Sequence, residues 1–229
     1  MPYILHILNA SGRLAPFAAD IAAAVTRIEA AISQVATLHP IDIIVADQPD
    51  MAIPEIGIGG YCGQKDLISL SLDPAQSANS FAPNGDFDRA LVHETHHALR
   101  WRQVGYGNTL GEALVTEGLA GHFVHQVLGT PPEPWECAIS GEQLTKAQQR
   151  AFIAWDDATY DHAAWFFGDG AEEQWCGYTL GYNIVGQYLV RHPQHTPASL
   201  ADTPAAALRP KRANTEASQA PQHPLLRST

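Results

Sequence analysis

The stretch His93-Glu94-Thr95-His96-His97 constrains this chain more than any other part of it. An α-helix turns once in about 3.6 residues, so His93 and His97 project from one face. Two imidazoles that close together can grip a single cation, and Zn2+ suits them. Zinc in a hydrolase takes three protein ligands and keeps one position for water. A third ligand must therefore come from elsewhere in the fold. Glu94 lies beside the ligands without being one, where a carboxylate can handle protons.

Glu117 is the best candidate for the third ligand, twenty residues after His97. It sits in an apolar segment, Leu110 to Leu128, that opens with Thr109-Leu110-Gly111-Glu112. That opening has the form of a capping box and predicts a helix start at Thr109. Residues 103–108 form a glycine-containing turn, and so short a connection makes the two helices neighbours. The competing reading is a solvated histidine cluster on a surface helix. Against it stand the apolar flanks Ala90, Leu91, Val92, Ala98 and Leu99. His96 points away from the other two and is not expected to be a ligand.

The spacing of Glu117 after His97 resembles the gluzincin arrangement, with the gap found in thermolysin-like enzymes. The chain resembles more closely a YjaZ-like family of predicted zinc-dependent proteases. Three segments carry that likeness: residues 93–97, Thr116 to Phe123, and Gly177-Tyr178-Thr179-Leu180-Gly181-Tyr182. Weaker echoes are Ile58 to Tyr61, Leu67 to Pro74, and Trp165 to Gly168. The resemblance implies zinc ligands at His93, His97 and Glu117, and a general base at Glu94. There are departures. Thermolysin-like enzymes carry an aspartate one turn after the ligand glutamate, where this chain has Gly121. Where the YjaZ-like pattern usually has an acidic residue, this chain has His122.

The expected chemistry is hydrolysis of a peptide bond by zinc-activated water, with Glu94 as base. The carbonyl oxygen needs a hydrogen-bond donor as it gains charge. Tyr178 is the first candidate and Tyr182, one turn on, the second, with His122 and His125 as alternatives. Both tyrosines also suit ordinary packing of a helix on the core. Leu67 to Leu72 alternates apolar and polar residues and reads as a half-buried strand. Zincin-type sites resemble one another in using an edge strand above the metal, so this strand is a candidate peptide-docking surface. Ile56 to Gly60 then reads as a rim or a lid. The plainer reading is a core strand with a glycine turn.

The net charge of −11 argues against a nucleic-acid partner. No stretch approaches the roughly twenty apolar residues that span a bilayer, and no secretory leader is evident. Cys62, Cys137 and Cys176 are odd in number and widely spaced, which fits reduced thiols in a cytoplasm. Six acids between Asp156 and Glu173 occur without a Lys or Arg and read as a solvated loop. A preference for cationic substrates, or calcium binding, is the sharper alternative for that run.

Strands are expected at Tyr3 to Leu8, Ile41 to Ala46 and Leu67 to Leu72. Helices are expected over about 15–37, 86–102, 110–128, 141–156 and 177–191. The order predicts an α+β fold: a small N-terminal mixed sheet with helices, then a helical, zincin-like metal-binding half. Residues 1–208 read as one domain and 209–229 as a disordered tail. The functional expectation is a cytoplasmic zinc metallopeptidase acting on a peptide or protein substrate, its oligomeric state unknown. The rival is a non-catalytic zinc protein using the same helices for stability or partner recognition.

Overall fold

In the computed structural model, residues 2–76, 80–170 and 172–211 are described. The fold is α+β. Four strands, β1 (Tyr3–Leu8), β2 (Ile41–Asp47), β3 (Ile58–Gln64) and β4 (Leu67–Leu72), form one sheet in the order β1-β2-β4-β3. β1, β2 and β4 run parallel, and β3 returns antiparallel to β4 as the outer arm of a hairpin. The crossover between β1 and β2 is helix α1 (Ala18–Ile32), which buries Ile21, Val25, Ile28 and Ile32 against the sheet core. Its apolar positions recur at helical spacing, so one stripe can face the core.

This topology corrects one expectation. The strand at Leu67–Leu72 lies inside the sheet between β2 and β3, so it offers no free edge for a peptide. The outer strands are β1 and β3, and β3 takes in part of the segment read as a rim or lid. Three glycines in seven residues hide its strand period. Pairing with β4 makes it a strand.

The helical half holds α2 (Asp86–Trp101), α3 (Leu110–Leu128), α4 (Gly141–Ile153), α5 (His162–Phe167) and α6 (Cys176–Arg191). α3 starts with the full capping box: Glu112 N–H donates to Thr109 Oγ1 at 3.3 Å, and Thr109 N–H to Glu112 Oε2 at 3.0 Å. It stops at Gly129, whose φ of 67° is left-handed, where glycine has no Cβ to clash. α3 is buried on nearly all sides because it serves two cores. Phe123 and Val124 join the sheet-side core, while Leu110, Leu114 and Leu119 join the core with α4 and α6.

Three contacts set the rotation of α2. Its first turn is held to α1 by a bidentate pair, Arg27 Nε and Nη2 to the buried Asp88 carboxylate at 2.9 and 2.7 Å. At mid-helix the Tyr3 hydroxyl bonds Thr95 Oγ1 at 2.6 Å; Tyr3 is the donor, since Thr95 spends its own proton on Leu91 O. Near its end the buried Arg100 donates to Thr116 Oγ1 and to the carbonyls of Leu200, Ala201 and Thr203. A charge taken from water needs that many acceptors. Thr95 thus faces the sheet, and the two flanking histidines face α3.

α3 and α6 cross at glycines. A Cβ on Gly118 would stand 2.1 Å from Gly181 O, and one on Gly181 would stand 2.2 Å from Leu114 O. Only glycine permits so close an approach, and it brings the start of α6 up to the face of α2 and α3 that carries the histidines. The expected tail from 209 onward lies almost wholly in residues 212–229, outside the described residues. Arg209 itself pairs with Asp156 at 2.8 Å and lies over the Phe152 and Trp155 rings.

Candidate metal centre

His93 and His97 stand one turn apart on α2, their ring centroids 4.7 Å apart and their planes at 85°. Glu117, at the middle of α3, faces both. His93 Nε2 lies 3.1 Å from Glu117 Oε2, and His97 Nε2 lies 3.5 Å from Glu117 Oε1. Tetrahedral ligand atoms at about 2.0–2.1 Å from zinc lie roughly 3.3 Å from one another. The donor set, two imidazoles and a carboxylate, and its spacing therefore both fit that ion. A ligand atom of Glu94 also falls within 4.8 Å of those of the two histidines. Glu117 in turn sets one oxygen against each imidazole, so either carboxylate stands where it could complete a three-ligand set.

The electrostatics follow from burial. Burial alone would raise the Glu117 carboxyl, but the imidazoles of His97 and His93 override it and hold it well below the usual carboxylate range. Burial would lower His93, yet Glu117, Glu94 and Glu136 together push it up to about 9. A proton on His93 thus neutralises Glu117, and a dication seated between the same atoms would take its place. Glu94 is raised, chiefly by burial. It lies under β3, where a Cβ on Gly60 would come 2.5 Å from its Oε1.

Two residues that sequence reasoning did not single out belong to this cluster. Tyr106, in the turn between α2 and α3, donates its hydroxyl to Glu117 Oε1 at 2.6 Å. Its ring meets His97 edge-on at 5.7 Å. The signal was a tyrosine between Gly105 and Gly107, both with left-handed φ, in a turn otherwise read only as a connector. The second is Glu136, in a 3-10 turn at Pro134–Cys137. Gly121 stands where thermolysin-like enzymes have an aspartate, and Glu136 Oε1 lies 2.0 Å from where its Cβ would be. A carboxylate does occupy that space, delivered by a different segment.

Tyr178, on the first turns of α6, lines the same cavity as His93 and Glu94. Burial first, then the charges of Glu117 and Glu94, keep its hydroxyl protonated well above its ordinary range. The alternatives lie elsewhere. Tyr182 stacks on His122 at 3.8 Å, and His122 Nε2–H donates to Tyr182 O at 2.8 Å. His125 Nδ1–H is spent on Thr130 O. None of these three lines the cavity. His96 points the other way, its Nε2–H on Pro197 O at 3.2 Å. The acidic run is also largely spoken for: Asp161 caps α5 and Glu172 pairs with Arg150.

Residues 21–209 match the family described as predicted Zn-dependent protease (DUF2268), and the chain belongs to that family. It is also similar to the uncharacterized protein YjaZ of Bacillus subtilis (strain 168), at 27% identity over 124 residues. That match covers 51% of this chain and 48% of YjaZ, so the chain spans about half the length of this curated relative. No solved structure matches it. Among the described residues, no helix is long and apolar enough to cross a membrane.

Proposed function

We propose that this chain is a zinc-dependent peptidase, with His93, His97 and Glu117 as metal ligands and Glu94 as general base. The observation that carries the reading is the placement of both Glu117 oxygens against the two Nε2 atoms. When bound, zinc polarises the scissile carbonyl and lowers the pKa of an attacking water towards neutrality. Glu94 accepts the proton from that water and returns it to the leaving amine. Burial raises its pKa, which suits a group that must both take and give a proton near neutral pH. Tyr178 stays protonated and donates its hydroxyl to the carbonyl oxygen as that atom gains charge. Tyr106 keeps Glu117 turned towards the histidines.

A peptide can lie along β3 beyond Ile58, whose carbonyl is taken by Ile53 N–H; this outer strand passes over Glu94 at Gly60. Backbone pairing with an edge strand holds a substrate extended, with its amide near the base. A non-catalytic metal site would have no use for a base and a phenol on one cavity wall. The test measures zinc per chain after dialysis, then cleavage of a quenched peptide library with and without chelator. One bound zinc with chelator-sensitive cleavage is expected; cleavage indifferent to chelator would overturn the reading.

A further inference from the structure

The cavity that holds His93, Glu94 and Tyr178, about 140 Å³ in all, extends past them into a part to which the hydrolytic reading assigns no role. Its walls come from six separate stretches of the chain. Ile53, Ile56 and Ile58 line one side, Trp135 another, and Phe167 and Trp175 a third. His93, Glu94 and Tyr178 share the same space. An apolar cavity of roughly this size holds a benzene ring.

The aromatic residues form a connected group. Trp135 and Trp175 have ring centroids 6.2 Å apart, Phe167 meets Trp175 edge-on at 6.3 Å, and Trp175 lies 5.9 Å from Tyr178. Phe167 is 45% exposed despite its size, so the group opens to solvent. Trp175 has φ of 65°, a left-handed conformation that is rare for a bulky residue. Such strain persists where the surroundings hold it, and it gathers at binding sites. Charged groups also reach the lining: Glu94 and His93 belong to the candidate metal centre, and the others are accounted for locally. Arg89 is paired with Glu133 and also donates to Pro131 O, while Asp86 sits in the first turn of α2, where the helix dipole favours it.

We infer that this cavity is a specificity pocket that takes one large apolar or aromatic side chain, from a substrate residue flanking the scissile bond. The inference rests on the peptidase reading for its position and on the lining for its chemistry. A charged side chain seated among Ile53, Ile56, Ile58, Trp135 and Trp175 would shed water against isoleucine and indole, a cost that an apolar side chain does not meet.

The test uses the zinc-loaded full chain and two probe sets. Peptides that differ only in Phe, Leu, Lys or Glu at each flanking position give ratios of kcat/KM. N-acetyl amides of the same four amino acids, with no chelating group, are titrated by saturation-transfer NMR and tryptophan emission. Phe and Leu are expected to exceed Lys and Glu by at least about 10-fold in both sets. Phe167→Ala and Trp175→Gly, the latter placing glycine where the backbone is left-handed, are expected to shrink that gap with zinc content unchanged. Equal ranking of the four amides, no binding by any of them, or a preference for Lys on the indole faces would overturn the pocket. Correctly ranked amides with no peptide cleaved would uphold the pocket and overturn the peptidase. Cleaved peptides with unranked side chains would do the reverse.

Discussion

The Tyr106 hydroxyl donates to Glu117 Oε1 at 2.6 Å, so the turn joining α2 to α3 orients the carboxylate that faces both histidines. Partners of this kind typically cost 10–100-fold in metal affinity when lost. Tyr106→Phe keeps the ring that meets His97 and removes only the donor. Zinc affinity is expected to fall about 10-fold in competition with a chromogenic chelator, with the fold intact. Unchanged affinity would leave Tyr106 a packing residue only.

Glu117→Ala removes both oxygens that reach the imidazoles. Its zinc affinity is expected to drop by more than about 100-fold, beyond the cost of losing a supporting partner. Equilibrium dialysis decides this. Stoichiometric zinc in that variant would mean that Glu94 or another group supplies the third ligand.

Glu94→Gln is expected to keep its zinc and lose hydrolysis. Gly60→Ala offers a subtler check, because the added Cβ would meet Glu94 Oε1 at 2.5 Å and Cγ at 2.7 Å. The carboxylate must move, and a shift of about 1 Å at a reacting group can cost on the order of 100-fold in rate. Both variants are compared with wild type by metal content and kcat/KM.

Gly181→Ala tests the helix crossing that seats Tyr178. The new Cβ would lie 2.2 Å from Leu114 O, a backbone atom that cannot swing aside. Destabilisation of about 1–3 kcal/mol is expected from urea unfolding. Loss of activity under conditions where the variant remains folded would show that the crossing also positions Tyr178.

Glu136 makes stability depend on pH. Burial raises its carboxyl from 4.5 to about 7, so the folded chain keeps a proton that the unfolded chain has released. Its contribution is complete below about 4.5 and is lost as pH rises through about 7. The loss is on the order of 3 kcal/mol. Glu136→Gln, neutral throughout, is expected to flatten this part of the profile in zinc-free protein. An unaltered profile would show that Glu136 does not titrate in this range.

Helix ends were legible where local chemistry sets them. Thr109 and Glu112 announce the start of α3, and Gly129 its stop, because capping involves only neighbours in sequence. α1 was legible from its apolar period, and Tyr3–Leu8 read as a first strand. β3 was not, since Ile58-Gly59-Gly60-Tyr61 has no strand signature until β4 lies beside it. Nor was α5, whose six residues are too few to show a helical period. Among the site residues, His93, Glu94 and His97 could be read from their spacing on one helix. Tyr106 and Glu136 could not, because nothing local distinguishes a tyrosine or glutamate in a turn from one that reaches a neighbouring carboxylate or fills the space over Gly121.

Residue order alone determined that two imidazoles share a helix face, and that a short turn returns the chain with Glu117. Those relationships span a few turns of backbone, whose geometry is nearly invariant. Tertiary structure decided how Glu117 meets both rings, which outer strand passes over Glu94, and which aromatic rings enclose the space beside it. Each of these depends on how separate segments pack, set by the Gly118–Gly181 crossing and by the pairing of β3 with β4.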